Sequence, residues 1–77
     1  MANIHLTDVT LHVDELLGKA ARANLEKDLR SLEGVSSVRS SKTARHLVTV
    51  TYDSRQVRSE DILKVISGDR LHAELIG

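Results

Sequence analysis

Cysteine is absent from the 77 residues. Disulfides, thiolate metal sites and thiol nucleophiles are therefore excluded, and the redox compartment cannot be read from the chain. Phenylalanine and tryptophan are missing as well, and Tyr52 is the only aromatic residue, so neither a core nor a ligand site has aromatic anchors. Excess charge of one sign is also lacking, because eleven Lys and Arg balance eleven Asp and Glu. Polyanion binders draw most of their affinity from neutralised phosphates. Single-strand RNA readers built on a sheet stack bases on its aromatics. The basic set Lys19, Arg22, Arg39, Lys42 and Arg45 is accordingly read as solvated surface, and no nucleic-acid partner is expected. The amino-terminal stretch MANIHLTDV has neither a basic region nor an apolar run, and no stretch approaches spanning length, so the expectation is cytoplasmic residence without membrane insertion. Residues 1–77 are expected to form a single small domain, which at this size buries roughly 60% of its unfolded surface and must pack a thin core economically.

What the chain does contain is two clean hydrophobic periods. Val48, Val50 and Tyr52 alternate with Thr49 and Thr51, the two-residue period of a half-buried strand, and Asp53 ends it. After a polar turn, Ser59 stands at an N-cap position, Glu60 and Asp61 fall in the first turn, and Ile62, Val65 and Ile66 follow at helical spacing. Earlier in the chain Val9, Leu11 and Val13 alternate with Thr10, His12 and Asp14 as a first strand, with His5 at its start. Leu17, Ala21, Leu25, Leu29 and Leu32 then make one apolar helical stripe, supported by the i,i+4 pair Glu26 and Arg30. Gly34 reads as the glycine that stops this helix, Val35 to Ser40 as a second strand with Val38 inward, and Ser41 to Ala44 as a turn. Gly68 closes the second helix, and Leu71, Ala73 and Leu75 alternate as a fourth strand. The order β-α-β-β-α-β, with right-handed crossovers, predicts an α+β ferredoxin-like sandwich: a four-stranded antiparallel sheet with two helices on one face. That topology gathers the end of strand one, the hairpin between strands two and three, and the start of strand four at one end of the sheet.

At this point the chain resembles a heavy-metal-associated domain, the fold of small copper chaperones and of amino-terminal modules of metal-pumping ATPases. The residues that carry the resemblance are Leu25-Glu26-Lys27, Leu29, Leu32-Glu33-Gly34-Val35, Ser37-Val38, Val48 through Asp53, Val57, Ser59-Glu60-Asp61-Ile62 and Ala73-Glu74-Leu75. They are mostly structural positions and speak for fold before activity. The family's C-x-x-C motif falls on Gly18 and Ala21, neither of which binds a metal, and Leu16 takes the place of the methionine that precedes the cysteines, where it would plug the core beneath the loop. Near Gly68, where the family has glycine followed by tyrosine, the chain reads Gly68-Asp69-Arg70-Leu71. Thiolates are what select copper(I), so transfer of a soft metal by thiolate exchange is not expected.

Two surfaces remain. The first is an interaction surface for a protein partner or a second copy of the chain, formed by the first loop and helix start (Leu16, Gly18, Lys19, Ala21 and Arg22) and by the open sheet face (Leu47, Thr49 and Ile76, with Thr10 and Thr51). The second is a divalent-metal site in which His12, Asp14, His72 and Glu74 share the open face, imidazole with carboxylate suiting zinc, nickel or copper(II). By parity His46 belongs on the helix side and outside that set. The competing expectation is that these are ordinary solvated strand residues. Asn3 and Asn24 lie in no anion-cradling loop, and no Ser or Thr has an evident base, so catalysis is not expected. The sequence therefore points to a non-enzymatic adaptor or accessory module without a required cofactor, with the histidine and carboxylate metal module as the alternative.

Overall fold

The computed structural model describes residues 5–15, 17–41, 43–44 and 46–76. Leu16, Lys42 and Arg45, singled out above, lie outside the described residues, as does Asn3. The elements are β1 (Leu6–Val13), α1 (Lys19–Arg30), β2 (Val35–Ser40), β3 (Leu47–Asp53), α2 (Ser59–Gly68) and β4 (Ala73–Leu75). Their sheet order is β2-β3-β1-β4, every neighbouring pair antiparallel. The predicted α+β ferredoxin-like sandwich is thus the observed fold. Register follows the hydrophobic alternation: Val9 pairs with Val50 and Leu11 with Val48, so apolar residues of both central strands leave the sheet on one side.

That side meets the helices. Leu11, Val13, Val48 and Val50 pack with Leu25 and Leu29 of α1 and Ile62 and Ile66 of α2, all with essentially no exposed surface. Each such side chain contributes about 1.5–3 kcal/mol on leaving water. Because all the large buried side chains are aliphatic except Tyr52, the core holds together by volume and shape, with few specific contacts.

Element ends depart from the sequence reading in four places. Helix α1 stops at Arg30 with Ser31 as C-cap, so Gly34 and Leu32 lie beyond it. Gly34 instead closes the following turn at φ +104, where its carbonyl accepts the Asp53 N–H at 2.8 Å. The N-cap of α2 is Arg58 and not Ser59, because Arg58 is extended and its backbone N–H is taken by the Asp61 carboxylate reaching back at 3.0 Å. Ala21 is exposed in the first turn of α1, one turn above where the apolar stripe reaches the core. Leu71 precedes β4 and does not belong to it, since the chain needs Arg70 in the left-handed region, φ 63, to turn from α2 into the sheet.

Candidate functional site

The antiparallel registers place the end of β1 beside the start of β3 and the start of β4. Pairing continues past both strand ends. The Val13 N–H donates to the His46 carbonyl at 2.7 Å, and the Asp14 N–H to the His72 carbonyl at 2.7 Å. Both histidines are therefore fixed through their main chains to Val13 and Asp14 at the end of β1, and their side chains fold back on the same stretch, His46 on Val13 and His72 on Glu15.

At His46, Nδ1 donates to the Val13 carbonyl at 2.7 Å. A carbonyl oxygen only accepts, so the proton of the neutral ring sits on Nδ1. The ring lies against His12, centroids 5.3 Å apart and planes within 15°. Parity had put His46 on the helix side. It precedes β3, and a residue outside the pleat has no parity, so its side chain follows the hydrogen bond to Val13. The His12 Nδ1 approaches the Asp14 carboxylate at 3.5 Å.

Glu15 holds His72 by two contacts: the His72 N–H donates to Oε1 at 2.8 Å and Nδ1 to Oε2 at 2.6 Å. Hydrogen bonding to His72 holds the Glu15 carboxyl below the usual range, and the same contact with Glu15 raises the His72 imidazole above its ordinary value. The expected ligand set is thereby divided. Glu74 lies directly across from His12 in register, with Asp14 beside them, while His72 is engaged by Glu15. Among the described residues no three His, Cys, Asp or Glu side chains come together as a metal-binding group. Sequence reasoning missed Glu15, because a loop residue two steps past the strand carries no periodic signal and its partner is 57 positions away.

The first loop is anchored by Leu17, buried to 4% exposure. Gly18 is the N-cap of α1, and a Cβ there would meet nothing within 4 Å. Lys19 and Ala21 are exposed, whereas Arg22 is half-buried, its Nε without an acceptor among the described residues. Behind them a cleft of about 200 Å³ is lined by Ala21, Asn24, Asp69 and Leu71. Desolvation, then the hydrogen bond and charge of Asp28 on α1, raise the Asp69 carboxyl above its ordinary value.

On the far side of the sheet, the Thr10 and Thr49 hydroxyls meet at 3.3 Å, and Thr51 donates to Asp8. Leu47 and Thr49 are half-buried. Ile76 is 53% exposed, its N–H bonded to the Thr10 carbonyl at 2.9 Å.

No protein-family model matches this chain, and no curated protein sequence does. Solved structures do. Oxidized MerP from Ralstonia metallidurans CH34 superposes with a TM-score of 0.83 at 22% identity, covering 94% of this chain and 99% of that one. The yeast copper transporter domain CCC2A gives 0.81 at 26% identity, over 91% and 94% of the two chains. A putative copper-ion-binding protein from Bacillus anthracis str. Ames gives 0.80 at 28% identity, over 90% and 96%. The fold is that of the heavy-metal-associated domains. This chain carries it without cysteine, so at the two positions where the resemblance puts the heavy-metal-associated motif stand the bare N-cap Gly18 and the exposed Ala21. No described helix is long and apolar enough to cross a membrane.

Proposed function

We propose that this chain is a non-enzymatic heavy-metal-associated module that works by protein-protein contact through its first loop and open sheet face. One observation carries the reading: the loop is anchored by buried Leu17 and capped at Gly18, yet it offers Gly18 and Ala21 where thiolates would stand, beside an open cleft. Small exposed side chains let a partner's backbone come close. A loop already anchored in the core loses little freedom on binding. Leu47 and Thr49, half-buried, and Ile76, exposed, form the second part of the proposed surface on the open sheet face.

The test is site-directed photocrosslinking in the source cell. A photoactivatable residue at Ala21 and another at Thr49 should capture the same partner, and Ala21→Arg should abolish the capture from position 49. Capture of the same species at equal yield from Lys64, on α2, or indifference to Ala21→Arg, overturns the reading.

A further inference from the structure

We propose that the free edge of β1, from Leu6 to Asp8, takes an extended segment of a partner protein as an added antiparallel strand, with a basic side chain set opposite Asp8. The site lies at the end of the sheet away from the first loop and does not rest on docking there. Strand β1 runs from Leu6 to Val13, but β4 pairs only with Leu11, His12 and Val13, and the Ile76 N–H continues that line to the Thr10 carbonyl at 2.9 Å. The Asp14 N–H and the Thr10 carbonyl both turn to the β4 side, and alternate residues of an antiparallel strand send their polar groups the same way. Leu6 and Asp8 therefore hold N–H and C=O toward an edge on which no described strand pairs with them. Such a row of unpaired groups is a template for another strand.

Side chains mark the same place. Leu6, Leu75 and Ile76 are the exposed large apolar residues among those described, and all three border this edge. The other edge strand, β2, is protected: it carries a bulge between Val35 and Ser37, and Arg30 Nη2 donates to the Val38 carbonyl at 3.4 Å. On the open face Asp8 stands between Leu6 and Thr10, with Ile76 opposite Thr10. Thr51 takes one oxygen of the exposed Asp8 carboxylate, Oδ1, and leaves Oδ2 for a partner. An arginine or lysine opposite Asp8 lays its apolar stem along Leu6 and Ile76 and brings its charge to that carboxylate. A second copy of the chain fits worse. A two-fold pairing that uses the whole free edge sets the two Asp8 carboxylates diagonal to one another on one face, roughly 7–8 Å apart, so like charges meet.

The experiment is an NMR titration of the isotope-labelled full chain, near neutral pH, with the acetylated and amidated pentapeptide Val-Arg-Thr-Val-Thr. Saturable shifts are expected on the Leu6, Thr7, Asp8 and Ile76 amides, with slowed hydrogen exchange at the Leu6 and Asp8 N–H. Replacing the peptide's arginine by glutamate should weaken binding about fivefold. Methylating the backbone nitrogen of that arginine, whose N–H donates to the Asp8 carbonyl, should weaken it about tenfold. Asp8→Pro removes an N–H that faces the free edge, so it should abolish binding with the β1 to β3 ladder intact, and the N-methylated peptide makes the same test on the unaltered chain. Ala21→Arg should change nothing, which separates this edge from docking at the first loop. Unsaturable drift, shifts confined to β2 or the first loop, equal binding of the glutamate peptide, or full affinity in Asp8→Pro overturns the proposal. So do concentration-dependent shifts of the same amides without peptide, which would make a second copy the occupant.

Discussion

Replacing Gly34 by alanine tests how this fold turns from α1 into β2. The backbone there has φ +104, and a Cβ would stand 2.7 Å from Val57 Cγ2, 2.8 Å from Gln56 Cβ and 2.9 Å from Gln56 Oε1. Left-handed backbone costs an L-residue about 1–2 kcal/mol. Forcing a methyl against packed neighbours costs about 1–3 kcal/mol, and Val57 has little room to yield, being 3% exposed. The reduced entropy of the unfolded chain returns only about 0.4–1 kcal/mol. The balance is a loss of about 2–4 kcal/mol, against a total stability of roughly 4–12 kcal/mol for a chain this long. Urea unfolding followed by circular dichroism should show the midpoint falling with the slope unchanged, and the melting temperature dropping on the order of 10–25 °C. Gly68→Ala is the control. It is the last residue of α2, a Cβ there meets nothing within 4 Å, and alanine should leave stability unchanged or raise it by up to about 0.5 kcal/mol, since helix propensity acts most weakly at a helix end. Val57→Ala should relieve part of the crowding, so the double variant should lose less than the two single losses together. A Gly34→Ala loss below about 1 kcal/mol, or strict additivity with Val57→Ala, would refute the reasoning.

Three further expectations follow from particular contacts. Arg70 holds φ 63 without being glycine, so Arg70→Gly should raise stability by about 0.5–1 kcal/mol in the same urea assay, and a loss would show that the side chain holds the turn. The raised His72 imidazole contributes stability that is complete below the ordinary histidine value of 6.5 and lost as pH rises through its folded value, while the lowered Glu15 carboxyl contributes above 4.5 and loses it as pH falls. The melting-temperature difference between the parent and Glu15→Gln should therefore peak between pH 4.5 and 6.5, and a flat difference across pH 3–9 contradicts the pair. Ile62→Ala removes a side chain with no exposed surface and should cost about 2–5 kcal/mol, whereas Glu60→Ala on the exposed side of α2 should cost under about 1 kcal/mol, a contrast read by thermal unfolding.

How far the sequence is legible depends on whether a residue sits inside a periodic element. Val9, Leu11, Val48, Val50, Ile62 and Ile66 announce their faces because pleat and helix repeat, and each is buried as its period requires. Topology then follows from handedness, and with it the meeting of β1, the hairpin and β4 at one end. Apart from Ala21, which is exposed within the first turn of α1, the departures lie just beyond an element. His46 obeys a hydrogen bond to Val13 once the pleat has ended, Arg58 caps α2 because Asp61 reaches it, and Glu15 finds His72 across the fold. Gly34 was visible as a glycine that has to be one, but the reason is a positive φ under Val57 and not the end of α1.

These side-chain contacts also bear on how a heavy-metal-associated fold manages without its motif. The loop-bearing end is tied from β1 in three independent ways. Val13 exchanges bonds with His46 through backbone and imidazole, Asp14 takes the His72 carbonyl while Glu15 takes its N–H, and Leu17 enters the core. None of the three passes through residue 18 or 21. The loop is therefore held whether or not anything binds at those positions, and a side chain there is free to vary without unfolding the end of the sheet. Gly18, whose Cβ would meet nothing, should accept alanine with a change of only a few tenths of a kcal/mol, since the weaker N-cap offsets the lost unfolded-state entropy. Were Gly18→Ala as costly as Gly34→Ala, the loop would depend on the very positions that the three ties relieve, and its use as a ready docking surface would lose its physical basis.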